Sequence, residues 1–269
     1  MSVKKKIPIL PLIEFNNITV LKGEFQKVLD DISLKIFEGE NVAILGPNGA
    51  GKSSLIKVIT REYYPFDQDS GCSFKIWGKD SWDVFDLRSL LGIVSNDLQY
   101  ACNRDITGME MVLSGFFSSI GLFREHLTSQ MKKKARDIIE FLEIGNLSNR
   151  TMDQMSSGEA RRFLIGRALV HDPKALILDE PTNSLDLYAL HKFSNILSKI
   201  TKSGTSIILV THNLSDIIPE INRVILMKNG KFYKDGLKES ILTRSNISKL
   251  FEASVEIKQK DGYYYALRG

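Results

Sequence analysis

The sequence predicts an α/β protein whose core is a mainly parallel β-sheet with helices on both faces. Short apolar strands alternate with helical segments along most of the chain, an order typical of parallel sheets. A glycine-rich loop at residues 46–53 lies between one such strand and a helix, and the apolar strand at 175–178 ends in two acidic residues. The length of 269 residues suits one such domain with an inserted lobe.

The N-terminal part is predicted to form an antiparallel β subdomain that leads into the core. Its predicted elements are two strands within residues 12–37 with a turn at Lys22–Gly23, a strand at 41–45, a helix at 53–60, and strands at 72–77 and 90–94. The C-terminal elements are a helix at 159–170, a strand at 175–178, a helix at 187–199, a strand at 206–210, and hairpins across Asn229–Gly230 and Asp261–Gly262.

The segment between these two parts has helical periodicity. Its apolar residues at helical spacing are Met131, Ala135, Ile138, Ile139 and Leu142. Thr128 or Ser129 is the candidate N-cap, and Gly145 the candidate stop. The sequence therefore predicts one domain over 1–269, with a nucleotide-binding core at 1–96 and 158–269 and an inserted helical subdomain at 97–157.

Composition points to a soluble, cytoplasmic protein. The net charge of +4 is too weak to indicate nucleic-acid binding, and the basic run Lys4–Lys6 is typical of a solvated terminus. No apolar stretch approaches the ~20 residues of a membrane-spanning helix, and no signal peptide is evident. Cys72 and Cys102 lack metal-ligand spacing, so we expect free thiols in a reducing compartment.

Residues 46–53 match the phosphate-binding motif G-x-x-x-x-G-K-[ST] in full, between a strand and a helix as the motif requires. Backbone amides of such a loop approach phosphates, the lysine reaches the terminal phosphates, and the Ser53 hydroxyl is a ligand for Mg²⁺. The motif indicates a P-loop NTPase core that binds ATP. The predicted nucleotide-binding residues are Gly46, Pro47, Asn48, Gly49, Ala50, Gly51, Lys52, Ser53 and Ser54.

The strand at 175–178 supplies the second part of the predicted site, because it ends in Asp179 and Glu180. Asp179 is predicted to bind Mg²⁺ through water as the partner of Ser53. Glu180 is predicted to orient or deprotonate the attacking water.

With these motifs the chain resembles the ATP-binding cassette (ABC) ATPases over nearly its whole length. The family signature L-S-G-G-Q corresponds to residues 155–159, Met-Ser-Ser-Gly-Glu, at the start of a helix. The resemblance implies that Ser156, Ser157, Gly158 and Glu159 contact the γ-phosphate of ATP bound to another subunit. Ser157 replaces a glycine and Glu159 a glutamine, and the added Ser157 side chain puts the close approach of two backbones in question.

The resemblance assigns three further residues. Asp186 ends the run Pro-Thr-Asn-Ser-Leu-Asp and is expected at the dimer seam, and His212 follows a strand where the family has its switch histidine. The catalytic set is thus Glu180, His212 and Lys52. Asn96 stands where relatives carry a metal-contacting glutamine, and Gln99 is an alternative at the wrong spacing. The position for an aromatic under adenine falls near Leu21–Lys22, which leaves Phe25 as a candidate.

A single cassette holds its loop and its signature on opposite sides, so the resemblance implies a head-to-tail dimer of two copies around two ATP molecules. The expected partners are separate membrane permease subunits, which the cassette would drive. They are expected to dock on the apolar stretch Gly108–Phe123 at the inner face of the membrane. Packing within the helical subdomain is the alternative for that stretch. A soluble ABC ATPase in repair, translation or regulation is the alternative function, and a nucleotide sensor without ATPase activity is a third.

Short segments refine the resemblance. Ile93-Val-Ser, Gly115-Phe-Phe-Ser-Ser-Ile-Gly-Leu, Leu250-Phe, Val255-Glu-Ile and Gly262-Tyr-Tyr are similar to cassettes grouped with molybdate, iron-siderophore and photorepair-type ABC ATPases. That grouping implies import of a metal complex or an oxyanion.

Overall fold

The computed structural model describes residues 10–23, 25–66, 71–102, 104–120 and 126–269. The basic run Lys4–Lys6 and residues 121–123 of the predicted docking stretch lie outside these ranges.

Eleven strands carry the architecture of the described residues. In chain order they are β1 (Ile13–Lys22), β2 (Gln26–Ile36), β3 (Val42–Leu45), β4 (Ser73–Ile76), β5 (Leu91–Val94), β6 (Ala175–Asp179), β7 (Ser206–Thr211), β8 (Arg223–Lys228), β9 (Lys231–Leu237), β10 (Val255–Lys260) and β11 (Tyr263–Arg268).

The central sheet has six strands in the order β5-β6-β7-β3-β8-β9. Its first five strands are parallel, and β9 joins the edge antiparallel to β8. Strand β3 shows why both faces are buried: Val42 and Ile44 pack into one apolar cluster, whereas Ala43 and Leu45 pack into the other. Successive side chains of a strand point to opposite faces, so an all-apolar strand needs a cover on each side.

One cover is the predicted antiparallel β subdomain, a sheet of order β2-β1-β4. The turns of three hairpins also agree with the prediction. Strand β1 ends at Lys22, Asn229 and Gly230 join β8 to β9 with φ of 50° and 75°, and Asp261 and Gly262 join β10 to β11 with φ of 50° and 80°. Positive φ at both central residues is the geometry of the tightest hairpin turns, which explains the Asn-Gly and Asp-Gly pairs.

Nine helices are found in the described residues. They are α1 (Lys52–Ile59), α2 (Val84–Leu90), α3 (Asn96–Cys102), α4 (Gly108–Ser114), α5 (Ser129–Phe141), α6 (Ser157–Leu169), α7 (Leu187–Lys202), α8 (Lys238–Ile241) and α9 (Arg244–Phe251). Helix α1 packs into the cluster shared with the antiparallel sheet, and α4, α5, α6 and α7 pack into the cluster on the opposite face. The predicted α/β class with its inserted helical segment is confirmed.

Thr128 is the N-cap of α5, because its hydroxyl accepts a hydrogen bond from the Met131 amide at 3.2 Å. The predicted stop is wrong by one turn. Helix α5 ends at Phe141, Glu143 adopts a left-handed φ of 57°, and Gly145 begins the next short turn. Three helices, α2, α8 and α9, were not predicted from the sequence, and α2 and α8 span only seven and four residues.

The predicted exposure of Gly108–Phe123 is wrong for its first half. Met111, Val112 and Leu113 are buried in the core of the helical segment, so packing was the correct alternative for them. Phe116 and Ile120 remain half-buried. No described helix is long and apolar enough to cross a membrane.

Candidate active site

The phosphate-binding loop, residues 46–53, connects β3 to the first residues of α1. Two of its glycines are required by contacts with the backbone. A Cβ at Gly46 would lie 2.2 Å from the Met227 carbonyl oxygen, and one at Gly51 would lie 2.6 Å from the Val28 oxygen. Gly51 also has a φ of 103°, a conformation that glycine adopts without strain. The loop is therefore packed directly onto neighbouring strands.

Lys52 is buried beneath this loop, with only 4% of its surface exposed. Its ammonium donates hydrogen bonds to the carbonyl oxygens of Gly46 and Pro47, each at 2.9 Å. It also lies 3.2 Å from Glu180 Oε1. The only charged partner of Lys52 among the described residues is thus the acid predicted to act in catalysis.

Three parallel strands bring the site residues to one edge of the sheet. The Gly46 amide donates to the Thr211 carbonyl at 3.2 Å, and the Glu180 amide donates to the Val210 carbonyl at 2.8 Å. These bonds join the ends of β3, β6 and β7. The predicted loop, acidic pair and histidine therefore meet although they are far apart in sequence.

The Glu180 carboxylate is the centre of this group. Its Oε1 lies 3.3 Å from His212 Nδ1 as well as near Lys52. Its Oε2 accepts a hydrogen bond of 2.8 Å from the side-chain amide of Asn183. Burial raises the pKa of Glu180, but the Asn183 hydrogen bond and the Lys52 charge outweigh it and leave the pKa below its usual value. The carboxylate is ionised at neutral pH, as a proton acceptor must be.

Glu180 also has a left-handed backbone, with a φ of 47°. Residues other than glycine rarely adopt this conformation, and such strain is concentrated at functional sites. The strain turns the chain sharply after β6.

Asp179 and Ser53 supply the oxygen atoms that a hard cation prefers. Burial raises the pKa of Asp179 to about 6, while its hydrogen bond with Ser53 lowers it. Asp179 Oδ1 is buried and has no hydrogen-bond partner within the described residues. No group of three described His, Cys, Asp or Glu residues forms a complete metal site. The donors fit Mg²⁺, which is commonly held by one or two protein oxygens together with phosphate oxygens.

A cavity of about 1120 Å³ opens beside the loop. Asn48, Gly49, Gly51, Lys52, Ser53, Ser54, Asn96, Asp179 and Glu180 line it. Phe25 is 87% exposed and is not among the lining residues, so the structure does not bring the candidate adenine contact to the site. Lys22 and Tyr63 line the same cavity.

The signature segment, residues 155–159, lies apart from this cavity, and none of its residues lines it. Ser156 is the N-cap of α6 and forms a capping box with Glu159: the Ser156 hydroxyl accepts from the Glu159 amide at 3.3 Å, and the Glu159 carboxylate accepts from the Ser156 amide at 2.9 Å. The glutamate at this position is therefore used to cap its own helix.

The two small residues that follow pack onto the loop at 181–186. The Ser157 hydroxyl donates to the Ser184 carbonyl at 3.1 Å. A Cβ at Gly158 would lie 3.0 Å from that of Ala189. Asp186 caps α7, since its carboxylate accepts from the Ala189 amide at 2.7 Å. Beyond it, Leu187 and Tyr188 are 86% and 70% exposed.

Two buried charged residues belong to the site but escaped the sequence analysis. Arg161 on α6 is 3% exposed and donates to the Asn96 and Gln99 side chains and to the carbonyls of Pro181 and Asn183. Asp216 is 4% exposed and accepts a hydrogen bond from Thr211.

Burial raises the pKa of Asp216, whereas the hydrogen bond from Thr211 and the nearby His212 lower it. The sequence carried one signal for each residue: an ionisable side chain close to an apolar run. Arg161 precedes buried Phe163, Leu164 and Ile165, and Asp216 lies among buried Leu214, Ile217 and Ile218.

Comparison with known proteins agrees with this geometry. A family model described as ABC transporter matches residues 29–183, which is more than half of the chain. The chain belongs to the ABC transporter family. A cassette fold, an ATP-binding role and transporter membership follow from this assignment, in agreement with the resemblance of the motifs.

Individual relatives support the same assignment. The chain is 32% identical to an uncharacterized ABC transporter ATP-binding protein, YlmA, of Bacillus subtilis, over 91% of this chain and 93% of the relative. It is 31% identical to the hemin import ATP-binding protein HmuV of Aliivibrio fischeri, over 89% and 90%. A solved dimeric cassette in a post-hydrolysis state, bound to ADP and phosphate, has a TM-score of 0.69 and 25% identity, over 84% of this chain and 98% of that one.

Proposed function

We propose that this ABC cassette hydrolyses ATP to ADP and phosphate as a head-to-tail dimer and thereby drives transport through separate membrane permease subunits. The observation that carries the proposal is the convergence of Lys52 and His212 on one carboxylate, Glu180, at the mouth of a complete phosphate-binding loop. A nucleotide sensor without ATPase activity has no need of this arrangement.

In the proposed reaction the loop amides and Lys52 bind the phosphates of ATP. The lysine now donates to two neutral carbonyls of the loop. Charged phosphate oxygens are stronger acceptors and compete for it. Glu180 orients a water molecule and takes its proton while the water oxygen bonds to the γ-phosphorus and the bond to the β–γ bridging oxygen breaks. His212, beside the same carboxylate, is assigned to the γ-phosphate.

Ser53 and Asp179 are the residues that would hold Mg²⁺, and Asn96 is assigned to the same site. Bound Mg²⁺ supplies neutralisation of the charge that develops on the phosphates. Asn96 would contribute its carboxamide oxygen, which also accepts a hydrogen bond of 2.9 Å from Arg161.

The proposed dimer follows from the separation of the two motifs. Ser156, Ser157, Gly158 and Glu159 do not line the cavity of their own loop, and a helix N-terminus attracts anions. The signature is therefore assigned to the ATP of a second copy, with Asp186 at the seam. The large exposed side chains of Leu187 and Tyr188 beside Asp186, and the dimeric relative with ADP and phosphate, support this assignment.

Permease docking is assigned to the half-buried residues 116–120 within the stretch Gly108–Phe123. Gly115, Ser118 and Ile120 line the large cavity together with Arg88 and Arg167. The two arginines donate to the carbonyls of Ser118 and Ser119 at 3.1 and 3.0 Å and so hold this segment in place. The proposed location is the inner face of the cell membrane, and the hemin-importing relative favours a metal complex as cargo.

The test uses a tagged Glu180→Gln variant with and without MgATP. The amide keeps the shape of the carboxylate but accepts no proton, so we expect hydrolysis to fall at least 100-fold and an ATP-dependent dimer to accumulate in light scattering. Asp137→Asn, a change at an exposed position of α5 away from both motifs, is the control. Monomers alone would contradict the dimer. Permease subunits should co-purify from solubilised membranes, whereas ribosomes or DNA in their place would support the soluble alternative.

A further inference from the structure

Arg161 is a buried cation held by neutral oxygens only. Its Nε donates to Gln99 Oε1 at 2.9 Å, its Nη2 donates to Asn96 Oδ1 at 2.9 Å and to Gln99, and its Nη1 donates to the carbonyls of Pro181 and, at 3.3 Å, Asn183. The described residues offer it no carboxylate within ion-pair distance. Burial lowers the pKa of Arg161 to about 10, although the Asp216 carboxylate, beyond ion-pair distance, raises it, so Arg161 remains charged at neutral pH.

Such an arrangement is costly for packing alone. A charge taken out of water is normally compensated by an opposite charge, and a buried apolar side chain would fill the same space without that cost. Arginine differs from an apolar residue, and from lysine, in its planar fork, which fixes several acceptors in one relative geometry. The role of Arg161 therefore depends on which groups its guanidinium holds together.

The fork joins three segments that surround the proposed reaction. Asn96 and Gln99 belong to the start of α3, Pro181 and Asn183 follow directly after Glu180, and Arg161 itself is part of the signature helix α6. The Asn183 side chain in turn donates to the Glu180 carboxylate at 2.8 Å. Gln99 also donates to the Ser157 carbonyl at 3.5 Å. Arg161 is thus one residue removed from the carboxylate that receives the proton.

We propose that Arg161 is a positioning residue for ATP hydrolysis, which ties Glu180, through Asn183, and the Asn96 carboxamide to the helix whose N-terminus meets the partner's ATP. This inference rests on the proposed function. Engagement of ATP by α6 is transmitted to the other two segments through the guanidinium, because all of them bond to it. Arg161 acts on the rate of the assembled dimer and contributes nothing to nucleotide affinity of the single subunit, since it does not line the cavity around the loop.

The test compares Arg161→Gln and Arg161→Lys with Arg162→Gln. Arg162 is the next residue of α6 and donates instead to the Glu143 carbonyl at 3.3 Å, which makes it the matched control. For Arg161→Gln we expect kcat to fall 10- to 100-fold, with KM for ATP and the monomer's Kd for a fluorescent ATP analogue changed less than 2-fold. Arg161→Lys keeps the charge but lacks the planar fork, so its kcat should lie between those of the wild type and Arg161→Gln. Arg162→Gln should match the wild type within 2-fold.

Gln99→Ala covers the case in which Arg161 variants do not fold. It removes one acceptor and leaves the buried arginine in place, and a 3- to 10-fold fall in kcat at constant KM is expected. Equal kcat values for Arg161→Gln and Arg162→Gln, or a parallel loss of kcat and nucleotide affinity, would overturn the inference. If the Arg161 variants do not fold, an unchanged kcat in Gln99→Ala overturns it. A wild-type protein without ATPase activity would instead overturn the proposed function itself.

Discussion

The phosphate-binding loop and the signature segment are both proposed anion sites at helix N-termini, yet they are built in opposite ways. The loop lies on the core: Gly46 and Ala50 are buried and Lys52 is enclosed. The signature segment lies on a lobe, with Ser156 exposed and Glu159 half-exposed. The loop finds an ionic partner, Glu180, within the chain, whereas Ser156 and Glu159 of the signature cap each other.

This difference separates a site that one subunit completes, the phosphate-binding loop, from a site that one subunit leaves exposed, the signature segment. The loop is completed by strand ends that folding necessarily brings together. The signature satisfies its backbone with Ser156 and Glu159 and keeps its outer surface free. This difference fits the proposal that one subunit binds nucleotide and that two subunits are needed for hydrolysis.

The largest effect on activity is expected from a substitution in the phosphate-binding loop. Lys52→Ala removes the ammonium that lies 3.2 Å from Glu180 and is the predicted phosphate ligand, so ATPase activity should fall by roughly 10²–10³-fold. Binding of a fluorescent ATP analogue by the monomer should weaken as well. Lys202→Ala, whose side chain is 74% exposed, is the control for loss of a lysine. Unchanged ATP binding by the monomer would contradict the proposal that the phosphate-binding loop, unlike the signature segment, binds ATP within one subunit.

The next effect concerns the free-energy cost of burying the ionised Asp179 carboxylate beside the phosphate-binding loop. The pKa of Asp179 is raised from 3.8 to about 6, chiefly by burial, so the ionised carboxylate destabilises the magnesium-free fold above pH 6. Asp179→Asn should raise the free energy of unfolding at pH 7 by about 3 kcal/mol. Below the folded pKa the native carboxyl binds its proton, and the difference should disappear as the pH falls towards 4.

Urea unfolding between pH 4 and 7 measures this difference, with the exposed Asp80→Asn as control. A stability gain from Asp179→Asn that stays constant across this range would contradict the assigned cause.

The smallest effect is expected at the signature. Ser156→Ala removes one N-cap and should lower the free energy of unfolding by about 1 kcal/mol. ATP binding by the monomer should be unchanged, while dimerisation in the Glu180→Gln background should weaken. Thr243→Ala removes the corresponding cap of α9, where the hydroxyl accepts from the Asn246 amide at 3.3 Å. If both variants weaken the dimer equally, general stability and not the signature is responsible.

Local signals predicted much of the fold and most of the candidate site. The hairpin at Asn229–Gly230 was predictable because two residues specify its geometry, and the cap at Thr128 because the hydroxyl bonds three residues on. Helix α8 was not predictable, since four residues carry too little periodicity. Arg161 escaped for a different reason: its acceptor Asn96 is 65 residues away, and no spacing rule connects them.

The sequence by itself determined the fold class, the loop that takes the phosphates, the acids after β6 and the histidine after β7, because each is a local pattern with its own chemistry. Only the tertiary structure decided that Glu180 is shared by Lys52, His212 and Asn183, that Val112 and Leu113 are core, and that Arg161 joins three segments. Those facts depend on strand order and helix packing, which arise from contacts between residues distant in the chain.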